Sequence, residues 1–410
     1  MTDTVLIDRL SLTGDGISSG SDQGPTYVPG ALPSETVSGT RAGDRLTDIR
    51  IIDPSPDRVT PPCRHARQCG GCQMQHAEDG FVADWKRHIV HSALAGQDIQ
   101  AEVLPTQTSP IRSRRRATLS ARRTKKGALV GFHAKRSDVV VEVPDCQLVT
   151  DRIRAALPLL GQMATTGGSR KGALSVLMTD SDGGLDLVVT GGKPLDAELH
   201  QTLAHLAQTA DLARLTWNDD GVALRRPPLQ MFDGIAVTPP PGAFLQATTH
   251  GETALRQAVM PALDGAKRVA DLFAGCGTFA LPMARHAQVH AVETNAAMLR
   301  ALDQGWRTAT GLRHVTTETR DLFRNPLLPE ELARFDCVVL DPPRAGAEAQ
   351  VTALAASDVP VVAYVSCNPV TFARDALRLL ACGYDMGPVT VVDQFRWSSH
   401  VELCAVFTKP

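Results

Sequence analysis

The sequence has 410 residues, which is too long for one ordinary domain, so two or three domains are expected. It carries 42 lysines and arginines against 44 aspartates and glutamates, and this balance argues against a protein that coats nucleic acid non-specifically. The sequence contains no apolar run of about 18 residues and no signal-peptide pattern at its start. These features predict a cytoplasmic protein that does not interact with membranes.

Short apolar segments separated by glycine, proline and serine fill the first 60 residues. This spacing predicts the short strands of a small β-barrel. Small barrels often bind nucleic acid, and a structural cap or a partner-binding domain is the alternative. The proline-rich stretch PSPDRVTPP, at residues 54–62, has the composition of a linker. The first domain is therefore predicted over residues 1–60.

Residues 61–242 mix predicted helices and strands, which indicates a separate α+β domain. An amphipathic helix is predicted at residues 79–96. Strands are predicted at residues 117–123, 128–135 and 138–146. The stretch IRSRRRATLSARRTKK, at residues 111–126, contains eight arginines or lysines and no acid. Such a stretch is either a solvated surface ribbon or a strip that contacts phosphate groups.

Four of the nine cysteines form a set in this second region, namely Cys63, Cys69, Cys72 and Cys146. Disulfides are not expected in a cytosolic protein. Four thiolates can hold zinc or an iron–sulfur cluster. Zinc sites more often pair two C-x2-C hairpins, and the x5 spacing between the first two cysteines departs from that pattern. From the spacing alone, a cluster, a zinc site and free thiols all stay open.

Predicted strands and helices alternate regularly from residue 243 onward, which indicates a doubly wound, mainly parallel sheet. The loop in DLFAGCGTFALPMA follows the first strand, and Gly275 there permits close approach of a ligand. Glu293, Asp321 and Asp341 follow the next three strands, so they are expected at the same sheet edge. Carboxylates without a phosphate-binding loop suit S-adenosylmethionine better than NAD or ATP. A terminal hairpin matches the order of elements in Rossmann-like class I methyltransferases.

Four motifs together resemble the RNA uridine-5-methyltransferase family: DLFAGCGTFALPMA, VVLDPPRAG, YVSCNPVTFARD and HVELCAVF. Members of this family make 5-methyluridine in ribosomal and transfer RNA. The cysteine set is similar to that of the iron–sulfur branch, which acts on 23S ribosomal RNA, and the first strands resemble its TRAM domain. The resemblance implies a seven-stranded class I methyltransferase domain over residues 243–410, a [4Fe-4S] cluster on the four cysteines, and a monomeric protein that does not act on DNA.

The resemblance also implies roles for individual residues. Carbon 5 of uracil is a weak nucleophile until a thiolate adds to carbon 6. Cys367 matches the family's nucleophile, and Glu402 matches the general base that removes the proton from carbon 5. Contacts with S-adenosylmethionine are expected from Gln246, Phe273, Gly275, Thr278, Glu293, Asp321 and Asp341. The family commonly has asparagine at the positions of Thr248 and Thr278.

Three other functions are alternatives to this interpretation. An enzyme that methylates transfer RNA is the nearest alternative, and the cysteine set favours the ribosomal substrate. A cytosine-5 DNA methyltransferase would place its nucleophile after the fourth strand, whereas Cys367 follows the predicted fifth. A non-catalytic RNA-binding iron–sulfur protein is the alternative from a different class, and the presence of both Cys367 and Glu402 argues against it.

Overall fold

The computed structural model describes residues 2–20 and 24–409. Residues 1, 21–23 and 410, which the predicted first and last domains include, lie outside this part of the chain. Three main sheets follow one another along the sequence, with six, seven and nine strands. Within the described ranges, no helix is both long and apolar enough to cross a lipid bilayer.

The first sheet lies within residues 2–53 and consists mostly of antiparallel pairs. Its strands are β1 (Thr2–Leu6), β2 (Arg9–Leu10), β3 (Gly16–Ser18), β4 (Thr26–Val28), β5 (Thr36–Ala42) and β6 (Arg45–Asp53). Apolar side chains that include Ile7, Val37 and Leu46 form a small buried core. The predicted strands are confirmed, and the TRAM-like barrel stays a prediction.

The second region begins with the helix α1 (Asp79–Ala95) and the short strand β7 (Gln107–Thr108), which both pack with the third sheet. The second sheet follows with β8 (Arg116–Arg123), β9 (Ala128–His133), β10 (Val140–Glu142), β11 (Leu174–Ser181), β12 (Gly184–Thr190), β13 (Arg214–Trp217) and β14 (Asp220–Leu224). Its helices are α2 (Asp151–Ala155), α3 (Leu157–Gly167) and α4 (Ala197–Thr209). The strand order is β10-β9-β8-β11-β12-β13-β14, and α3 packs against β8 and β9.

A small hairpin, β15 (Gln230–Phe232) and β16 (Ile235–Val237), precedes the third sheet. The strands of that sheet in this part of the chain are β17 (Arg268–Leu272), β18 (Gln288–Glu293), β19 (Val315–Thr319), β20 (Cys337–Leu340), β21 (Val361–Ser366), β22 (Asp385–Met386), β23 (Thr390–Asp393) and β24 (Glu402–Thr408). The helices between them are α5 (Thr249–Val259), a 3-10 helix (Met260–Leu263), α6 (Ala280–Met283), α7 (Ala296–Thr308), α8 (Pro329–Leu332), α9 (Glu348–Ala355) and α10 (Pro369–Ala381).

The third sheet has the order β19-β18-β17-β20-β21-β24-β23-β7, and β22 also pairs with β24. The strand β24 runs antiparallel between β21 and β23. The seven predicted strands are therefore present, with the last one inserted as expected. Two short strands, β7 and β22, extend the sheet to nine.

The helix α1 and the strand β7 connect the second region to the third sheet. Glu78 begins α1 by accepting a hydrogen bond from the backbone N–H of Phe81 at 3.0 Å. The buried face of α1, including Trp85 and Val90, shares one core with α10 and with strands of the third sheet. The strand β7 pairs in parallel with β23. The third sheet is thus completed by residues from well before it in the chain.

Candidate active site

A cavity of about 590 Å³ opens at the carboxyl ends of the parallel strands of the third sheet. Ligands of open α/β folds bind at this edge. Eight of the nine residues predicted to contact the cofactor or to act in catalysis line the cavity: Gln246, Phe273, Gly275, Glu293, Asp321, Asp341, Cys367 and Glu402. The ninth, Thr278, is half-buried and does not line it.

The loop after β17 turns tightly at one end of this cavity. Phe273, Gly275 and Gly277 have positive φ angles of 64°, 56° and 95°. A Cβ at Gly275 would meet no atom within 4 Å, whereas a Cβ at Gly277 would lie 2.9 Å from both Leu281 and Leu302. Gly275 therefore leaves room for a ligand, and Gly277 lets α6 and α7 pack closely against the loop.

Two carboxylates and two aromatic rings line the side of the cavity near this loop. Glu293 ends β18, and its Oε2 accepts from the backbone N–H of Gly275 at 3.1 Å, which fixes the carboxylate. Asp321 lies two residues after β19 and accepts from the backbone N–H of Phe323 at 3.0 Å. The rings of Phe273 and Phe323 are 5.5 Å apart. Fixed acceptors beside aromatic rings suit a ligand that has hydroxyl groups and a flat ring.

Cys367 and Glu402 come from neighbouring antiparallel strands. The pairing of β21 with β24 ends with Ser366 opposite Leu403, so one further step brings Cys367 opposite Glu402. Glu402 is only 4% exposed, and burial, aided by the charge of Asp341, raises its pKa to about 8. Burial and the charges of the two carboxylates raise the pKa of the Cys367 thiol to about 12. The thiol is therefore protonated at neutral pH in the free protein.

Asp341 and Gln246 are joined by a hydrogen bond inside the cavity. Nε2 of Gln246 donates to Oδ2 of Asp341 at 3.2 Å. Asp341 keeps part of its surface open to the cavity, while protein atoms enclose its other sides. Burial raises the pKa of Asp341 to about 7, and the hydrogen bond from Gln246 opposes this rise. A carboxyl group with a raised pKa thus lines the same cavity as the Cys367 thiol.

Several residues of the cavity escaped the sequence analysis, notably Phe244, Phe323, Arg344, Phe395 and His400. Phe244 is 59% exposed, and the guanidinium of Arg116 lies 5.9 Å from the centre of its ring. Phe395 and His400 lie in the loop between β23 and β24, with their rings 5.5 Å apart. Loop residues follow no regular period, so spacing could not identify them. The run VVDQFRWSSH is rich in aromatic and polar residues, and this composition was the sequence feature that could have identified Phe395 and His400.

The basic stretch at residues 111–126 lies partly inside the protein. Arg115 is buried, and its guanidinium pairs with a carboxylate of α5 at 2.5 Å. The guanidinium of Arg114 lies 5.6 Å from the ring centre of Phe395, which lines the cavity. Burial lowers the pKa of both Arg114 and Arg116. Arg114, Arg115 and Arg116 are therefore packed into the protein, whereas Arg112, Lys125 and Lys126 are exposed.

The four predicted ligand cysteines line one small cavity of about 20 Å³, and they are Cys63, Cys69, Cys72 and Cys146. None forms a disulfide. The backbone N–H groups of Gly71 and Leu148 donate to the sulfurs of Cys69 and Cys146, each at 3.4 Å. In the described part of the chain, no group of three or more metal-binding side chains has ligating geometry. The thiols are thus gathered together, and the iron–sulfur cluster stays a prediction.

A family model matches the last part of the chain, and individual relatives match nearly all of it. A family model described as tRNA (Uracil-5-)-methyltransferase matches residues 240–410. An uncharacterised RNA methyltransferase of Brucella suis is 42% identical over 408 residues, covering 100% of this chain and 98% of that protein. The 23S rRNA (uracil(1939)-C(5))-methyltransferase RlmD of Halomonas elongata is 33% identical over 439 residues, covering 99% of this chain and 89% of that enzyme.

A comparison with solved structures supports the fold. The tRNA (uracil-54, C5)-methyltransferase of Pyrococcus abyssi, solved with S-adenosyl-L-homocysteine, superposes with a TM-score of 0.77. The match covers 99% of both chains at 22% identity. The likeness at this identity concerns the fold, and it extends through all three sheets.

Proposed function

Because this chain belongs to the RNA uracil-5-methyltransferase family, we propose that it methylates carbon 5 of a uridine in 23S ribosomal RNA, with S-adenosylmethionine as the methyl donor. The chain is an RNA methyltransferase, in common with relatives that match it over nearly their full length. The ribosomal substrate is supported by the 33% identity to an enzyme whose name gives that substrate. The observation that carries the reaction is the single cavity lined by Cys367, Glu402 and Asp341.

The cofactor side of the cavity fits S-adenosylmethionine. When bound, this donor supplies a methyl group on a positively charged sulfonium. The fixed carboxylate of Glu293 would accept hydrogen bonds from ribose hydroxyls, and Phe273 would pack against the adenosine. The open space at Gly275 leaves room for the ligand. Carboxyl groups along the lining, including Asp341, favour a cationic ligand.

Cys367 would begin the reaction by adding to carbon 6 of the uracil. Its thiol proton must first pass to a base, such as the carboxylate of Asp341 in the same cavity, because the thiolate is the nucleophile. The guanidinium of Arg344 lowers the pKa of this thiol and so favours ionisation. The bond between Sγ and carbon 6 forms as the double-bond electrons move to the carbonyl oxygen at carbon 4. Carbon 5 of the resulting enolate then bonds to the transferred methyl group, while the carbon–sulfur bond of the donor breaks and its electrons stay on the sulfur, so that S-adenosylhomocysteine leaves.

Glu402 would complete the reaction as the general base. Its carboxylate removes the hydrogen that remains on carbon 5 after methylation. The electrons of that C–H bond restore the double bond between carbons 5 and 6, and the bond from carbon 6 to Sγ of Cys367 breaks. A pKa of about 8 suits this task, since a base works best when its pKa lies near the working pH.

The proposal includes a [4Fe-4S] cluster on the four cysteines, Cys63, Cys69, Cys72 and Cys146. The four thiols line one small cavity, and backbone N–H groups donate to two of their sulfurs, which supports a shared role for the four cysteines. Methyl transfer needs no electron, so the cluster would act by holding the two cysteine segments together. Backbone N–H groups of Gln73 and Met74 donate to the carbonyl of Trp397 at 2.7 and 2.9 Å. This contact links the cysteine segment to the loop that carries Phe395.

The test is methylation of purified 23S ribosomal RNA and, separately, transfer RNA from cells that lack this gene. Wild-type protein should form 5-methyluridine in the ribosomal RNA, detected by mass spectrometry of nuclease digests. Cys367→Ala should abolish the product, whereas Cys382→Ala, at an exposed cysteine, should not. Product in transfer RNA alone would favour the alternative substrate. Full activity of the Cys367→Ala variant would refute the covalent mechanism.

A further inference from the structure

Gln394 is a buried amide directly behind the cavity. It is 1% exposed and does not line the cavity itself. Its Oε1 accepts a hydrogen bond from the backbone N–H of Ala247 at 2.7 Å. A backbone N–H can only donate, so this contact determines which end of the amide is the oxygen. The Nε2 of Gln394 consequently faces Gln246 and donates to its Oε1 at 2.5 Å.

The orientation of Gln394 sets the orientation of Gln246 in turn. Because Oε1 of Gln246 is occupied by Gln394, its Nε2 points to the other side and donates to Asp341. The amide of Gln394 also lies close enough to Glu402 to lower the pKa of that carboxyl group, against the larger rise caused by burial. One buried amide therefore hydrogen-bonds to the residue expected to bind the methyl donor and lies near the residue expected to act as the base.

The helix α5 packs closely against Gln394. A Cβ at Gly251 would lie 2.6 Å from Cβ of Gln394 and 3.0 Å from Oγ1 of Thr248. Thr248 caps this helix by accepting from the backbone N–H of Gly251 at 2.9 Å. Only glycine fits at this position without moving Gln394. The fold thus restrains the side chain by packing as well as by hydrogen bonds.

We propose that Gln394 is a positioning residue for both halves of the reaction. Its hydrogen bond to Gln246 directs that amide towards Asp341, and its side chain packs beside the carboxyl group of Glu402, although Gln394 touches neither reactant. This inference rests on the proposed function and deepens it. Gln394, which lies outside the cavity, would thus align the residue that contacts the methyl donor with the residue that acts as the base.

The variant Gln394→Met keeps the size of the side chain and removes its hydrogen bonds. We expect the KM for S-adenosylmethionine to rise about fivefold, as the loss of roughly one hydrogen bond predicts. We also expect an RNA–protein adduct to accumulate on denaturing gels, because a misplaced Glu402 removes the carbon 5 proton slowly. A purely structural residue would lower the melting temperature and the active fraction without changing the KM or the adduct level.

Gly251→Ala provides an independent test, since it displaces Gln394 and leaves every hydrogen-bonding group in the chain. It should change the KM and the adduct level in the same direction as Gln394→Met. The matched control is Gly161→Ala in α3, where a new Cβ would meet its nearest atom at 3.7 Å. This control should match the wild type in both measurements. Wild-type KM and adduct levels in Gln394→Met and Gly251→Ala would overturn the inference.

Glu402→Gln in the same assay separates this inference from the proposed function. If Glu402 is the base, this variant accumulates the adduct. Adduct in Glu402→Gln but not in the Gln394 and Gly251 variants would refute the positioning role alone. No methylated product from the wild type and no adduct from Glu402→Gln would refute the proposed function, and the positioning role with it.

Discussion

Nζ of Lys86 lies 2.6 Å from Oδ1 of Asp393, and both side chains are almost completely buried, at 0% and 1% exposure. Nζ of Lys86 also donates to the carbonyl of Phe395 at 3.2 Å. Burial lowers the pKa of Lys86 and raises that of Asp393, and the attraction between the two charges opposes both shifts. This pair fastens α1 to the start of the loop that carries Phe395 into the cavity.

Removal of one member of this pair should strongly destabilise the protein. Lys86→Met leaves the carboxylate of Asp393 buried without its partner, so we expect a loss of about 3–5 kcal/mol in the free energy of unfolding, measured in urea. The control is Arg307→Met, which breaks an exposed pair with Asp303. Exposed pairs contribute little, so this loss should be much smaller. Equal losses in the two variants would contradict the argument.

The two glycines of the loop after β17 should respond differently to alanine. Gly275→Ala faces open space at a φ of 56°, so we expect a loss of about 1 kcal/mol in stability and clearly weaker binding of S-adenosylmethionine. Gly277→Ala adds a clash with Leu281 and Leu302, so we expect the free energy of unfolding to fall by more than about 2 kcal/mol. Urea unfolding and calorimetric titration measure the two effects. A larger stability loss at Gly275 would contradict this assignment.

The raised pKa of Glu402 predicts how stability changes with pH. The folded protein holds the Glu402 proton up to about pH 8, whereas the usual glutamate pKa is 4.5. The folded state therefore binds more protons than the unfolded state between these values, and stability falls as pH rises through this window. From about pH 6 to about pH 8.5, the loss in free energy of unfolding that is due to Glu402 is roughly 2–3 kcal/mol.

Glu402→Gln should reduce this pH dependence. The part due to Asp341, whose pKa is raised to about 7, should remain. The measurement is the free energy of unfolding of both proteins at the two pH values. An equal slope in wild type and variant would show that Glu402 has an ordinary pKa in the folded protein.

The cysteine set predicts a specific iron content. Protein purified without oxygen should contain about four iron and four sulfide ions per chain if all four cysteines ligate one cluster. Cys146→Ser should lose most of the iron, and Cys382→Ser, at an exposed cysteine outside the set, should retain it. Zinc in place of iron, or full iron retention in Cys146→Ser, would count against the cluster. Elemental analysis and the visible absorption spectrum provide the measurement.

Much of the third sheet was predictable from local patterns. Alternating strands and helices have clear periods, and strand-end residues such as Glu293 and Asp341 occur where the topology brings them together. The insertion of the last strand into the sheet could also be expected from the order of elements, and it is this strand that brings Glu402 beside Cys367. These features depend on short sequence segments and on general rules of parallel sheets.

Other features depend on contacts that no local pattern encodes. Gln394 acquires its contacts with Gln246 and Ala247 only when distant segments meet. The burial of Arg115 could not be predicted from a run of basic residues, because its acidic partner lies on α5. Likewise, the change of sequence pattern near residue 243 predicts a domain boundary there, and it gives no sign that α1 packs in the core of the third sheet.

The pairing of β7 with β23 has a consequence for how the chain folds. Residues 240–410, which the family model matches, would by themselves leave one edge of β23 unpaired and an apolar face of α10 bare. Unpaired edges and bare apolar faces promote aggregation. The segment containing α1 and β7 thus covers this edge and this face. Because the segment packs there only through contacts between residues that are distant in sequence, folding of this enzyme should be slow and prone to misassembly.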